Sequence, residues 1–306
     1  MPGGVISTGA HPKLLWPGIH AIWGQTYNQH PTEYTDLFDM LTSEQAYEQD
    51  VKVTGFGLAP VKPEGAPQTF DSEVQGQVST YTHIAYSLGY IVTFEELRDN
   101  LYEVVSRRRA KANAFSIAQT LENLGAGIYN DAFTGNVFLN ADGQAIISTA
   151  HTNATGGTFS NSLSPAADLS EGALEDISIQ IWGAQNDRGL AISIMPMSLH
   201  IAKQEFYNAN RILKSVLQPG TSNNDINVLK ATNAFPGGIK MNHYFSAPHA
   251  WFVRTNCQNG MQAFWRDRPM FDTDNEFDTK NAKAASYFRI SFGQTDPLSI
   301  FASNGA

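Results

Sequence analysis

Cysteine is nearly absent from this 306-residue chain. The single thiol, Cys257, rules out a disulfide framework within one copy and any cysteine-based zinc site. Its expected place is a small, half-buried position in a strand, and the chain suits a reducing cytoplasm. Basic charge is also scarce. Twenty Lys and Arg against 29 Asp and Glu give a net charge of −9 and a pI near 5.3. A protein built to grip nucleic acid needs a clustered Lys/Arg surface, so that class is disfavoured. An acidic wall that encloses DNA without holding it is compatible. No apolar run approaches the length of a membrane span, and Met1-Pro2-Gly3-Gly4 opens no secretory leader, so no membrane role is expected. Without secretion, the sequon Asn153-Ala154-Thr155 carries no meaning.

Recognisable catalytic signatures are missing too. There is no Gly-x-x-x-x-Gly-Lys-[Ser/Thr] loop, no His-Glu-x-x-His and no Gly-x-Ser-x-Gly elbow. Gly55-Phe56-Gly57 and Gly125-Ala126-Gly127 lack the third glycine of a dinucleotide fingerprint. The eight histidines are scattered without helical pairing, and His151 reads as a loop residue. Asp272-Thr273-Asp274-Asn275-Glu276-Phe277-Asp278 imitates the start of a calcium loop. Phe277 stands where that loop needs glycine and Lys283 where it needs glutamate, so a solvated acidic loop is expected. Neither a catalytic residue, nor a cofactor, nor a metal site is assigned.

What is present is organised. Residues 1–50 are rich in aromatics and broken by Trp16-Pro17-Gly18 and His30-Pro31, which describes an arm that packs on the rest of the chain or on a neighbour. Residues 51–92 read as β, with alternation from Val78 to Tyr90. Pro60, Pro63 and Pro67 exclude a tight turn and predict a long projecting hairpin with a broad tip. Thr93-Phe94-Glu95-Glu96 is a capping box. No proline follows until Pro165, so one helix of ~30 residues and ~45 Å is predicted from Thr93, with Gly125 and Gly127 placed to end or bend it. Further along, a short strand is predicted at 145–147 and a loop over 151–165. A helical face follows Ser170, strands are predicted at 190–194 and 199–201, and a second helical face runs from Phe206 to Val216. Strands at 238–245, 250–254, 261–266 and 286–292 complete an α+β chain.

One basic run stands out, Arg107-Arg108-Arg109-Ala110-Lys111, in the middle of the long helix. It reads as a solvated helix face, a docking surface for acidic groups of a neighbouring subunit, or a DNA contact.

Thr54-Gly55-Phe56-Gly57-Leu58-Ala59-Pro60 runs into Lys62-Pro63-Glu64-Gly65-Ala66-Pro67, and a hairpin return and a capped helix follow. With Tyr34-Thr35-Asp36-Leu37-Phe38, Asp99-Asn100-Leu101-Tyr102-Glu103, Ile212-Leu213-Lys214-Ser215, Pro219-Gly220-Thr221, Asn224-Asp225-Ile226-Asn227, Asn242-His243-Tyr244 and Ser291-Phe292-Gly293-Gln294-Thr295-Asp296-Pro297, the chain resembles the major head (capsid) subunits of tailed bacteriophages, in the group that includes the Mu-type head proteins. Gln294 departs from the tryptophan expected there.

The resemblance implies the Hong Kong 97 fold and a non-enzymatic structural role. Residues 1–50 would form the N-terminal arm and 51–92 the extended E-loop. Residues 93–139 and 246–306 would form a peripheral domain with a spine helix, and 140–245 an axial domain. It also implies self-assembly into hexamers and pentamers of an icosahedral virion shell around double-stranded DNA, built in the host cytoplasm. The implied partners are a separate scaffold, a portal and a decoration protein. Expected subunit-interface residues are Lys52, Lys62, Glu64, Asp71 and Glu73 on the E-loop, of which Glu64, Asp71 and Glu73 would meet Arg107, Arg108, Arg109 and Lys111 of a neighbour, with Pro219, Asn224 and Asp225 towards the capsomer centre. Lys52 and Lys62 lie where some members of the fold crosslink, but no specific pattern supports a crosslink here. The competing readings are an encapsulin-like compartment without a genome and an enzyme without a recognisable motif.

Overall fold

Two long alternating strands near the end of the sequence organise the first half of the molecule. The computed structural model describes residues 16–99, 102–218 and 225–305. In chain order these form α1 (Trp16–Gln29), α2 (Tyr34–Leu37), β1 (Asp39–Thr42), β2 (Tyr47–Val53), β3 (Gln75–Thr82), β4 (Ile84–Val92), α3 (Phe94–Arg98) and α4 (Tyr102–Asn130). Then come β5 (His151–Thr152), β6 (Thr158–Phe159), α5 (Glu171–Trp182), β7 (Pro196–Ala202), α6 (Phe206–Lys214), α7 (Val228–Ala231), β8 (Gly238–Asn242), β9 (Trp251–Thr255), β10 (Met261–Asn275), β11 (Ala282–Gln294) and β12 (Ile300–Ser303).

The first sheet has the order β1-β10-β11-β4, with β1 parallel to β10 and the other pairs antiparallel. Along β11, Ala282, Ala284, Ser286, Phe288 and Ile290 alternate inward, as a strand covered on one face requires. They meet a stripe of α4, Ala110, Ala114, Ile117 and Leu121, to which α1 adds Ile19 and Trp23. Of the segment 1–50, expected as an arm packed on the rest of the chain or on a neighbour, α1, α2 and β1 pack on their own chain here. Asn113, buried in this layer, accepts from the Trp23 indole at 2.9 Å and donates to the Leu88 carbonyl at 2.9 Å, so a polar group inside the core is satisfied.

The single helix expected from Thr93 is two. Thr93 caps α3, its hydroxyl accepting from the Glu96 amide at 3.3 Å, but α3 stops at Arg98. Arg109 then forms a two-pronged ion pair with Glu96, both contacts at 3.0 Å, and donates to the Ile91 carbonyl at 3.1 Å. Thirteen residues of unbroken helix would hold those two side chains ~20 Å apart, so the pair forms only where the chain folds back. α4 runs on through Gly125 and Gly127 to Asn130. Gly125 is where α2 crosses: a β-carbon there would stand 2.8 Å from the Tyr34 β-carbon.

β2 and β3 form the expected hairpin, antiparallel and separate from both large sheets. The alternation from Val78 to Tyr90 is divided at His83, because β4 leaves the hairpin for the first sheet. The buried His83 ring is held on both sides, by the Ser43 and Ser291 hydroxyls at 3.0 Å each. That fixes the point where the chain changes sheets.

The second sheet has the order β12-β9-β7-β8, with β7 and β8 parallel. One face carries Leu199, Ile201, Trp251, Val253 and Phe301 against α5 and α6. The other carries Phe252 and Ala302 against the end of α4 at Tyr129. Helices and sheets are segregated, which makes the class α+β.

Several local expectations are corrected. Ile146 and Ile147 are buried but not in a strand; they are apolar anchors of a turn, with the Ile147 amide bonded to the Ala132 carbonyl at 2.8 Å. The 151–165 loop contains the short β5–β6 pair. Residues 190–194 make a single bridge at Ala191 and no strand. Asp272 and Asp274 lie within β10 and pair with Ala285 and Lys283 across the ladder, so the calcium-loop imitation is strand as far as Asn275, and Glu276, Phe277 and Asp278 stand in the connection to β11. Cys257 is half-buried as expected, but sits in the turn after β9. Burial pushes its thiol up to about 12, which keeps it protonated and unreactive.

Candidate assembly surfaces

The loop 54–74 at the end of the β2–β3 hairpin is the most conspicuous surface. Gly55 and Gly65 turn it with positive φ, and its apolar side chains find no cover. Phe56 is 62% exposed, Leu58 81%, Val61 94% and Phe70 89%. Scattered exposed apolar residues are ordinary, but a group this size on one projecting element marks a contact surface.

The base of this loop is clipped to its own chain. Lys52 lies 3.4 Å from Asp187 and 3.6 Å from Asp296. Asp71 pairs with Arg188 at 2.7 Å and accepts from the Gly57 amide at 2.7 Å. The Gly57 and Ser72 amides, with the Arg188 guanidinium beside them, hold the Asp71 carboxyl below the usual range. Lys52 and Asp71, expected to meet a neighbour, are thus engaged within the subunit. Their partners are more than 100 residues away in sequence, beyond the reach of local pattern. Lys62, Glu64 and Glu73 are exposed.

The basic run of α4 divides by helical geometry. Arg109 turns to Glu96, while Arg107, Arg108 and Lys111 are exposed around the buried Ser106 and Ala110. Pro219 and Asn224 lie outside the described residues. Asp225 is exposed at the closure of its loop, where its carbonyl accepts from the Gln218 amide at 2.9 Å and Leu217 bridges to Ile226.

A further surface went unrecognised in the sequence. α5 buries Ala173, Leu174, Ile177 and Ile181, which leaves Ile179 and Trp182 pointing outward. With Met195, Met197 and Val228 they line an open groove of about 480 Å³, and each of the five is more than a third exposed. Helical spacing alone places Ile179 and Trp182 on the solvent side of the face that follows Ser170, and that was the available signal.

The buried polar groups read as structural. His151, expected as a loop residue, is fully buried in β5, with Nδ1 2.7 Å from Asp142 and Nε2 3.2 Å from the Ile146 carbonyl. With both ring nitrogens engaged and no exposed surface, the imidazole cannot reach a substrate. Among the described residues no three His, Cys, Asp or Glu side chains converge on a metal position, and no helix is long and apolar enough to cross a membrane.

No protein-family model matches the sequence, and no curated protein matches it. Solved structures do match along nearly the whole chain. A virus-like particle from Pyrococcus furiosus aligns with a TM-score of 0.53 at 11% identity, covering 94% of this chain and 98% of its own. The procapsid of bacteriophage JBD30 aligns at 0.51 and 14%, covering 97% and 76%. The capsid of an empty GTA particle aligns at 0.53 and 8%, covering 91% of each. At such identities the likeness carries the fold: this chain has the mixed helix-and-sheet fold of capsid chains such as these.

Proposed function

We propose that this chain is the major head subunit of a tailed bacteriophage, of the Mu-type group, and that it works by assembling into an icosahedral shell around double-stranded DNA rather than by catalysis. The observation that carries the reading is the 54–74 loop: four large apolar side chains displayed on a projecting hairpin, in a fold shared with capsid chains. An isolated two-stranded ribbon is marginal in water and wants a neighbour to lie on. Head-to-tail contacts repeated around closed rings build pentamers and hexamers, and these a shell.

In this reading residues 1–50 are the arm, 51–92 the E-loop, 93–139 with 246–306 the peripheral domain, and 140–245 the axial domain. Glu64 and Glu73 face Arg108 and Lys111 of the next subunit, and Lys62 lies among them. Asp225, with Pro219 and Asn224, faces the capsomer axis. A separate scaffold, a portal and a decoration protein complete the particle. The acidic balance suits a wall that encloses DNA without reading it.

Negative-stain electron microscopy of the purified protein, expressed alone and with its neighbouring scaffold gene, tests the proposal. Closed shells, or rings of five and six, support it. A uniform monomer or dimer under both conditions overturns it. Shells that never contain nucleic acid when made in their native host would favour a genome-free compartment instead.

A further inference from the structure

Two helices on the second sheet carry exposed stripes of opposite chemistry. α5 packs over β12 and α6 over β8, and these are the two edge strands of the sheet. Beside the apolar groove of Ile179, Trp182 and Met195, α5 exposes Glu175 and Asp176. On α6 the buried positions are Ala209 and Ile212. One hundred degrees per residue then collects Tyr207, Arg211 and Lys214 on the opposite side, and all three are exposed. Among the described residues none of Glu175, Asp176, Arg211 and Lys214 forms an ion pair. In a chain of net charge −9, this basic helix face with an aromatic at its start stands, like the exposed Arg107, Arg108 and Lys111 of α4, against the acidic balance of the chain.

We infer that the Tyr207–Arg211–Lys214 face of α6 docks into the Trp182–Met195 groove of a second copy of this chain, with Arg211 and Lys214 meeting Glu175 and Asp176 across the contact. The inference rests on the shell reading and deepens it by naming the surfaces that join neighbours in a ring. A groove of about 480 Å³ has room for an aromatic ring such as that of Tyr207, an amphipathic side chain enriched at interface centres. The flanking charges set register and exclude like-charged approaches. Because the groove, between α5, α7 and the start of β7, takes a different surface of the next copy, the α6 stripe, the contact is heterologous. Each copy offers one of each, and repetition closes a ring.

Charge reversal tests this with the full chain. Glu175→Lys with Asp176→Lys, and separately Arg211→Glu with Lys214→Glu, alter only exposed side chains, so circular dichroism and melting should match wild type. Each variant alone is expected to lose ring and shell formation at least tenfold, by sedimentation and electron microscopy. Combining all four substitutions in one chain restores closed shells. Mixing the two charge-reversed variants restores contacts only between unlike copies. Alternation fits a ring of six but not of five, so hexagonal rings without closed shells are expected. Wild-type assembly by both variants overturns the inference, as does failure of both the combined chain and the mixture to recover. Unchanged shells that have lost a co-expressed scaffold also overturn it, by assigning the groove to that partner. A wild-type chain that forms neither rings nor shells overturns the shell reading itself, a separate outcome.

Discussion

Glu122 illustrates how much a single residue can hold in this fold. It projects from α4 at 4% exposure, and its two oxygens accept the Glu33 and Tyr34 amides at 2.9 Å each, where α2 begins. Burial pushes its carboxyl up to about 7, the two amides oppose that, and the Glu33 and Asp36 charges add to it. The folded value lies above the ordinary 4.5, so between those pH values the folded chain holds a proton that the unfolded chain has released. The contribution to stability is therefore full below pH 4.5 and lost as pH rises through 7. At about 1.4 kcal/mol per unit this amounts to roughly 3 kcal/mol. Glu122→Gln removes the titration. It also sets an amide NH2 against a main-chain donor, lowering stability by about 1–3 kcal/mol at every pH. Urea midpoints at pH 5 and pH 8 should show wild type losing stability relative to the variant as pH rises. Parallel curves would refute the assignment. Nothing in the sequence singles out Glu122, because a glutamate on a long helix reads as solvent-facing until α2 is known to cross there.

At the scale of elements, the legible parts were those whose causes are local. The capping hydroxyl of Thr93, the face following Ser170 and the prolines of the hairpin loop all act within a few residues of themselves, and the structure follows them. The break after Arg98, the change of sheet at His83 and the extension of β10 through Asp272 and Asp274 depend on partners 9 to 208 residues distant. The glycines of α4 divide in the same way. Gly127 has nothing within 4 Å of an added β-carbon, whereas at Gly125 that carbon meets Tyr34 at 2.8 Å. Gly127→Ala should raise stability by about 0.5–1 kcal/mol through helix propensity. Gly125→Ala gains the same propensity but must displace α2, and should lower stability by roughly 1–3 kcal/mol. Thermal melts of the two variants check this. Equal shifts would mean that α2 does not press on α4.

For the whole molecule, order and spacing of short motifs along the chain were enough to suggest the architecture, while its surfaces were mostly hidden. Lys52, Asp71 and Arg109 were expected at contacts with a neighbour and are tied within their own chain. The groove beside Trp182 was not seen at all. The hairpin loop was anticipated from its prolines, yet its apolar load becomes meaningful only once Phe56, Val61 and Phe70 are found exposed together. None of the three supports the core, so Phe56→Ser, Val61→Ser and Phe70→Ser in one chain should leave the melting temperature within a few degrees of wild type. Their burial on a neighbour is a different matter. At about 1.5–3 kcal/mol for each large apolar side chain, removing all three weakens every such contact by several kcal/mol, and a shell repeats that contact at every subunit. The variant should therefore remain a folded, soluble monomer at concentrations where wild type forms shells, as read by light scattering and electron microscopy. Shells at the wild-type concentration would show that the loop's apolar face serves something other than the joining of subunits.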